Sequence, residues 1–308
     1  MAEHAPREGV VVLALPRSGT TLLQRIFDAH PDVAYPPETH LLRAGARFLE
    51  DEVVAEGLHV GVRSGLAFAG FEATEVVART REFVFGFMRD HARRRGRRVW
   101  AEKTPFNAFH LDAVEDLCGD AVRYVVLLRH PLDVVVSMQE LFARSQRFPD
   151  ELHRYIRHEP NVGVALAQAW ADITTELLDL AERRAADTVV VRYEALVAQP
   201  EVETARLFDA LGLAPSPGAV EAAVAERAPV GFGDWKLLER SRVDQQSVGR
   251  YTQLSKHTIS RLGGIVNDVA VRAGYPALKQ VKERSAEEAL RQLELGQMLA
   301  ANRARGDE

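Results

Sequence analysis

The 308-residue chain has one cysteine, Cys118. A single thiol excludes an intrachain disulfide framework and a cysteine-rich zinc site, and it fits a reducing compartment. Basic residues are not in excess: 39 Lys+Arg stand against 44 Asp+Glu, a net charge of −5. A chain that coats nucleic acid has the opposite balance, so nucleic acid is not an expected partner. Long apolar runs are missing too. The longest, Val10–Leu15 and Tyr124–Leu128, fall far short of the roughly 20 residues of a membrane span. Met1–Gly9 is polar, without the basic-then-apolar order of a signal peptide, and is expected to be flexible. No carboxylate–histidine cluster has ligand spacing, so no metal is expected. These absences together describe a cytoplasmic protein with no membrane contact. Lysine is scarce, with only Lys103, Lys236, Lys256, Lys279 and Lys282, so each one invites a reason.

Val10–Leu15 has the length and composition of a buried strand. Pro16-Arg17-Ser18-Gly19-Thr20-Thr21 follows, then a helical pattern with Leu22, Leu23, Ile26 and Phe27 on one side. Arg123–Leu128 and Asp187–Val191 repeat the strand pattern, and Pro131 suits the first turn of a helix. Val99–Glu102 is a shorter strand ahead of Lys103. Helical patterns cover Thr39–Asp51, Thr74–Arg95, Asn161–Ala185, Pro200–Leu211 and Pro217–Arg227. Strands separated by helices predict an α/β fold, a P-loop-type parallel sheet flanked by helices on both faces, in a single domain. Residues 227–256 read as an irregular, polar segment that covers a site. Residues 284–303 read as a C-terminal helix that docks on the fold or on a second copy, so the chain is a monomer or homodimer.

A Gly-containing loop between a buried strand and a helix is an anion site, because the free N–H groups and the helix dipole face the ligand. Arg17, Ser18, Gly19, Thr20 and Thr21 add a guanidinium and three hydroxyls. The nucleoside-triphosphate motif G-x-x-x-x-G-K-[ST] is met only in part. Ala14 stands at its first Gly and Thr20 at its Lys, while Thr21 keeps the hydroxyl. A P-loop kinase or NTPase is therefore the second reading, and a phosphate-bearing ligand without a triphosphate is the first. Arg129, at the end of another strand, and Ser137, eight residues later, can hold a second, well-separated anionic group at the strands' carboxyl edge.

These segments resemble the sulfotransferases that use 3′-phosphoadenosine 5′-phosphosulfate (PAPS), above all tyrosylprotein sulfotransferases and their soluble bacterial relatives. The P-R-S-G-T-T loop is similar to the family's 5′-phosphosulfate loop. Arg129 and Ser137 are similar to its 3′-phosphate site. Pro37-Glu38-Thr39, Glu102-Lys103-Thr104-Pro105-Phe106, Val191-Arg192-Tyr193-Glu194, Glu239-Arg240-Ser241 and Leu254-Ser255-Lys256 continue the resemblance in order. The resemblance implies that Arg17, Ser18, Gly19, Thr20 and Thr21 hold the phosphosulfate. It implies that Glu38 is the general base and that Lys103, with Arg17, stabilises charge on the departing phosphate. Arg129 and Ser137 would bind the 3′-phosphate, Tyr193 and Lys256 would also touch the nucleotide, and Ser241 would contact the reacting group. The donor implied is PAPS, the product adenosine 3′,5′-bisphosphate, and no metal is needed. A catalytically silent PAPS-binding protein is a third reading, opposed by the intact Glu38 and Lys103.

Several residues keep rival readings. His40 and His110 are alternatives to Glu38 as base. Phe83, Phe85, Phe87 and Met88 read as core, and Phe142, Phe148, Tyr155 and Trp235 as possible cleft walls. Arg93–Arg98 is a basic cluster that reads as a solvated helix end or as a dock for an acidic carrier protein. The acceptor implied is a hydroxyl, phenolic or aliphatic, on a small molecule, a carrier or a peptide.

Overall fold

The computed structural model describes residues 7–56, 58–225 and 243–280. Its centre is a five-stranded sheet of β1 (Gly9–Leu13), β2 (Val33–Ala34), β5 (Val99–Glu102), β6 (Val122–Leu128) and β7 (Thr188–Arg192). The order is β2-β5-β1-β6-β7, and every neighbouring pair is parallel. Strand residues alternate between two apolar layers. Val11, Leu13, Tyr124, Val126 and Leu128 face one core, while Val10, Val12, Val125 and Leu127 face the other. Strands buried on both faces read as continuous apolar runs, which is why these segments were visible in the sequence.

The first core lies under α2 (Leu41–Leu49), α4 (Ala73–Arg94), α5 (Leu111–Cys118), α6 (Pro131–Ser145) and α8 (Val162–Arg183). It also takes in α12 (Lys256–Arg272), which packs on α8. The second core is covered by α1 (Thr20–Asp28), α9 (Tyr193–Ala198), α10 (Pro200–Ala210) and α11 (Ala219–Ala225). Three further short elements are a hairpin of β3 (Asp51–Ala55) and β4 (Leu58–Gly61), helix α3 (Val62–Phe68), and α7 (Asp150–Ile156). None of these three was expected. The predicted helix Thr39–Asp51 is shorter than the pattern suggested, because His40 takes a left-handed φ of 56° and the Thr39 hydroxyl accepts from the Leu41 amide.

One aromatic expectation needs correction. Phe85 and Met88 are core, but Phe83 and Phe87 are 64% and 53% exposed, pairing edge-to-face with each other. Phe142 is buried and packs against Phe148. Tyr155 is half-buried against the same core.

The basic cluster lies at the solvated end of α4. Arg93 pairs with Asp90, Arg95 with Asp28 and Arg98 with Asp32, while Arg97 donates to the Pro31 carbonyl. These guanidiniums mostly clasp the end of α4 to α1 and to the strand entry at Asp32. Four of them thereby have partners within the chain, while the Arg93, Arg95 and Arg98 side chains stay largely exposed. Ser241, Trp235, the 284–303 helix, residues 1–6 and residues 227–242 of the covering segment lie outside the described residues. Among the described residues, no helix is long and apolar enough to cross a membrane.

Candidate active site

Parallel strands put all their carboxyl ends on one edge, and each of the five delivers a residue singled out in the sequence. Arg17 follows β1, Glu38 follows β2, Lys103 follows β5, Arg129 follows β6 and Tyr193 follows β7. The chain leaves β1 toward one side for β5 and toward the other for β6. The loop after β1 therefore sits at the topological switch point, where open α/β sheets bind ligands.

In that loop the backbone turns sharply. The Leu15 carbonyl accepts from the Ser18 amide, Arg17 takes a left-handed φ of 71°, and Gly19, at φ 98°, caps α1. A Cβ on Gly19 would lie 2.2 Å from the Tyr193 ring, so only glycine lets the loop rest on that ring. The Ser18 and Thr20 side chains are buried at the start of α1, where the first helical amides lack intrahelical acceptors.

The second anion position is joined to the first, not well separated from it. Arg17 Nε donates to Ser137 Oγ at 3.1 Å, and Arg129 Nη1 donates to the Arg17 carbonyl at 2.7 Å. The Arg129 guanidinium sits 4.7 Å from the centroid of the Tyr193 ring, and its other amino group donates to the Ser247 carbonyl. Arg129 is only 5% exposed, and burial lowers its pKa. Among the described residues it forms no ion pair with a carboxylate, and its Nε has no partner. A buried cation without a counter-ion is costly, so this arrangement suits an anionic ligand.

Unforeseen residues hold this corner together. Asp133, buried on the first turn of α6, accepts from the amides of Gly249 and Tyr251 at 2.7 and 3.0 Å. Tyr251 stacks on His130 at 4.2 Å. Glu194 accepts from the His130 amide and from the Tyr275 hydroxyl, both at 2.9 Å. Each of these carboxylates lies one to four residues from a residue the sequence did single out. Lys256 is different: it stands exposed at the first position of α12. Among the described residues, no bond joins it to Arg17, Arg129 or Ser137.

Glu38 and Lys103 meet across the β2–β5 side of the edge. Lys103 Nζ donates to Glu38 Oε1 at 2.5 Å, with side-chain exposures of 1% and 13%. The Pro36-Pro37 loop that presents Glu38 is pinned by buried Gln24, whose amide donates to the Pro36 carbonyl at 3.0 Å. Beneath Lys103, Glu102 is buried and accepts from Thr104 Oγ1 and Asn107 Nδ2, both at 2.6 Å. Burial pushes its pKa up to about 7 against these two bonds and the Lys103 charge, with the Glu38 charge helping to raise it. Tyr35, also buried, has no partner for its hydroxyl, and burial next to the same two carboxylates raises its pKa well above the usual phenol value.

His110 is committed elsewhere. Its Nδ1 lies 2.7 Å from Glu50 Oε1 and its Nε2 3.5 Å from Glu151, which Arg43 also contacts. His40 serves as the backbone turn before α2. Among the described residues, no group of His, Cys, Asp and Glu could hold a metal ion.

The family model described as "Sulfotransferase family" matches residues 9–217. The nodulation protein NoeE of Sinorhizobium fredii (strain NBRC 101917 / NGR234) is 32% identical over 280 residues, 86% of this chain. The match spans 65% of that relative's length. Among solved structures, the sulfotransferase domain from the curacin biosynthetic pathway aligns with a TM-score of 0.59 at 20% identity. It covers 89% of this chain and 99% of that one. The sulfotransferase domain from the Synechococcus PCC 7002 olefin synthase gives 0.56 at 24% identity, over 82% and 90% of the two chains. Both structures share the fold. With the family match spanning the sheet and its carboxyl edge, the chain belongs to the sulfotransferase family.

Proposed function

We propose that the protein moves a sulfuryl group from PAPS to a hydroxyl. The observation that carries this reading is the buried Arg129, without a carboxylate partner among the described residues and joined to the loop after β1, with the Lys103–Glu38 pair on the same edge. The contact between Arg17 and Ser137 supports it, since the 3′- and 5′-phosphates sit on one ribose.

When bound, the donor supplies an electrophilic sulfur and a phosphate leaving group. Ser18, Gly19, Thr20, Thr21 and the Arg17 guanidinium hold its 5′ end, and Arg129 and Ser137 hold the 3′-phosphate. Tyr193 forms the floor between them, and Lys256 and Ser241 complete the contacts by resemblance. Glu38 takes the proton of the acceptor hydroxyl as its oxygen bonds to sulfur. Lys103 neutralises the charge left on the bridging oxygen when the S–O bond to phosphate breaks. Positioning and charge stabilisation then do most of the catalysis, as in phosphoryl transfer. Residues 243–256 meet Arg129 at the end of β6 through the Ser247 carbonyl and help screen the site from water. The protein works in the cytoplasm as a single domain, on an acceptor that is free, carrier-bound or part of a peptide.

Incubation with PAPS and a panel of phenols and alcohols, followed by mass spectrometry, tests the reading. Formation of a sulfate ester together with adenosine 3′,5′-bisphosphate supports it. Nucleotide binding without transfer to any acceptor would leave a silent binding protein, and magnesium-dependent ATP turnover would favour a kinase.

A further inference from the structure

Helices α2, α3 and α4 enclose an apolar groove of about 550 Å³, within the roughly 300–1,000 Å³ of small-ligand sites. Leu41, Ala44 and Phe48 line it from α2, Thr80 and Phe83 from α4, and Phe71 from the turn between α3 and α4. Its floor is formed where the helices touch. A Cβ on Gly45 would lie 2.9 Å from Val84 and 3.0 Å from Leu117, so glycine lets α2 come this close. Its rim is open, with Phe83 at 64% and Phe48 at 45% exposure. Arg79 is the one charged residue in the lining. It is already engaged, pairing with Glu75 at 2.6 Å and resting 5.6 Å from the centre of the Phe71 ring. Nothing in the groove selects an ionic occupant.

Leu41, in the groove lining at the first position of α2, closely follows the loop that presents Glu38. Leu41 is three residues from Glu38, so their Cα atoms lie within about 11 Å of each other. A hydroxyl delivered to Glu38 has its remaining atoms within reach of Leu41 and the aromatic walls beyond it. We infer that the acceptor is an alcohol with an apolar tail, and that this tail lies in the α2–α4 groove while the hydroxyl meets Glu38. This inference rests on the sulfuryl-transfer reading and gives its acceptor a chemical class.

The test is a homologous series of straight-chain primary alcohols, butanol to dodecanol, assayed with PAPS. Burying each added methylene should raise kcat/KM about three- to fourfold until the groove is filled, from about 0.8 kcal/mol per methylene. The Ala44→Trp/Thr80→Trp variant changes positions at the groove surface and fills it. It should flatten that slope while its affinity for adenosine 3′,5′-bisphosphate stays at the wild-type value. A flat wild-type series, or equal slopes in the two proteins, overturns the inference.

Nile red fluorescence gives a readout independent of turnover. Dodecanol should displace the dye from wild type, and the variant should not bind it. Displacement without transfer to any alcohol would uphold the groove and count against the transferase reading. Nucleotide binding and turnover without dye binding would do the reverse. If sedimentation shows a dimer that Phe83→Asp splits with the alcohol slope intact, the face is a contact between copies and the inference falls.

Discussion

Lys103 Nζ and Glu38 Oε1 are 2.5 Å apart in a corner where Lys103 is only 2% exposed. The pair joins the end of β5 to the loop after β2, bringing together two residues 65 positions apart in sequence. Close contact makes them one unit; under the proposed function the cation orients the carboxylate that takes a proton and neutralises the oxygen that departs.

Lys103→Ala should lower turnover by about 10²–10³ with little change in donor affinity. Glu38→Gln should slow transfer by roughly 10²–10⁴ and leave adenosine 3′,5′-bisphosphate binding intact. Because the two side chains act together, the double variant should be no slower than the product of the single effects, and much faster if they share one step. Steady-state kinetics on the four proteins check this. Full activity in Glu38→Gln would move the base to another residue, His40 first.

Arg129→Ala should weaken adenosine 3′,5′-bisphosphate by about ten- to a hundredfold, from the roughly 1.5–3 kcal/mol of a hydrogen bond to a charged group. Adenosine 5′-phosphate should lose much less. Calorimetric titration of both nucleotides reads the difference, and equal losses would remove Arg129 from the 3′-phosphate.

Gly19→Ala meets two obstacles at once, a φ of 98° and a Cβ 2.2 Å from the Tyr193 ring. It should lower Tm and abolish nucleotide binding. Adding Tyr193→Ala should restore part of the Tm, because the clash goes, but not all of it, since the left-handed backbone still costs roughly 1 kcal/mol.

Glu102 makes stability depend on pH. Burial first, then the Glu38 charge, raises its carboxyl from the usual 4.5 to about 7, so the folded protein holds a proton that the unfolded chain has lost over that interval. Stability from this group is complete below pH 4.5 and is lost as the pH rises through about 7. Glu102→Gln, which keeps the neutral shape, should remove that decline. Urea midpoints between pH 5 and 8 should fall more steeply for wild type than for the variant, and parallel curves would contradict the assignment.

The sequence made the sheet and its carboxyl edge legible because β1, β6 and β7 are continuous apolar runs and because the phosphate loop follows the first of them. Strand and helix ends were misjudged by one or two residues, where local bonds decide. The Ser18 amide bends the chain back to Leu15, ending β1 at Leu13. The β3–β4 hairpin gave no signal, since most of its residues, Val53, Val54, Leu58 and Val60 among them, are exposed and lack the alternation of a half-buried strand. At the site, the motif residues were legible but their supports were not. Asp133 acts through contacts more than 100 residues away and Tyr35 through burial, and neither leaves a local pattern. Phe83 read as core from its apolar neighbours, yet it stands at the open rim of the α2–α4 groove, 64% exposed.

The central claim is that the fused Arg17–Arg129–Ser137 corner is built for a nucleotide with phosphates at its 3′ and 5′ positions. Calorimetric titration of the wild-type protein with adenosine 3′,5′-bisphosphate, adenosine 5′-phosphate and magnesium ATP measures it directly. The account predicts the bisphosphate as the tightest ligand, at least about tenfold ahead of the other two, with each tenfold worth about 1.4 kcal/mol. Equal affinity for the two adenosine phosphates, or preference for magnesium ATP, would contradict it.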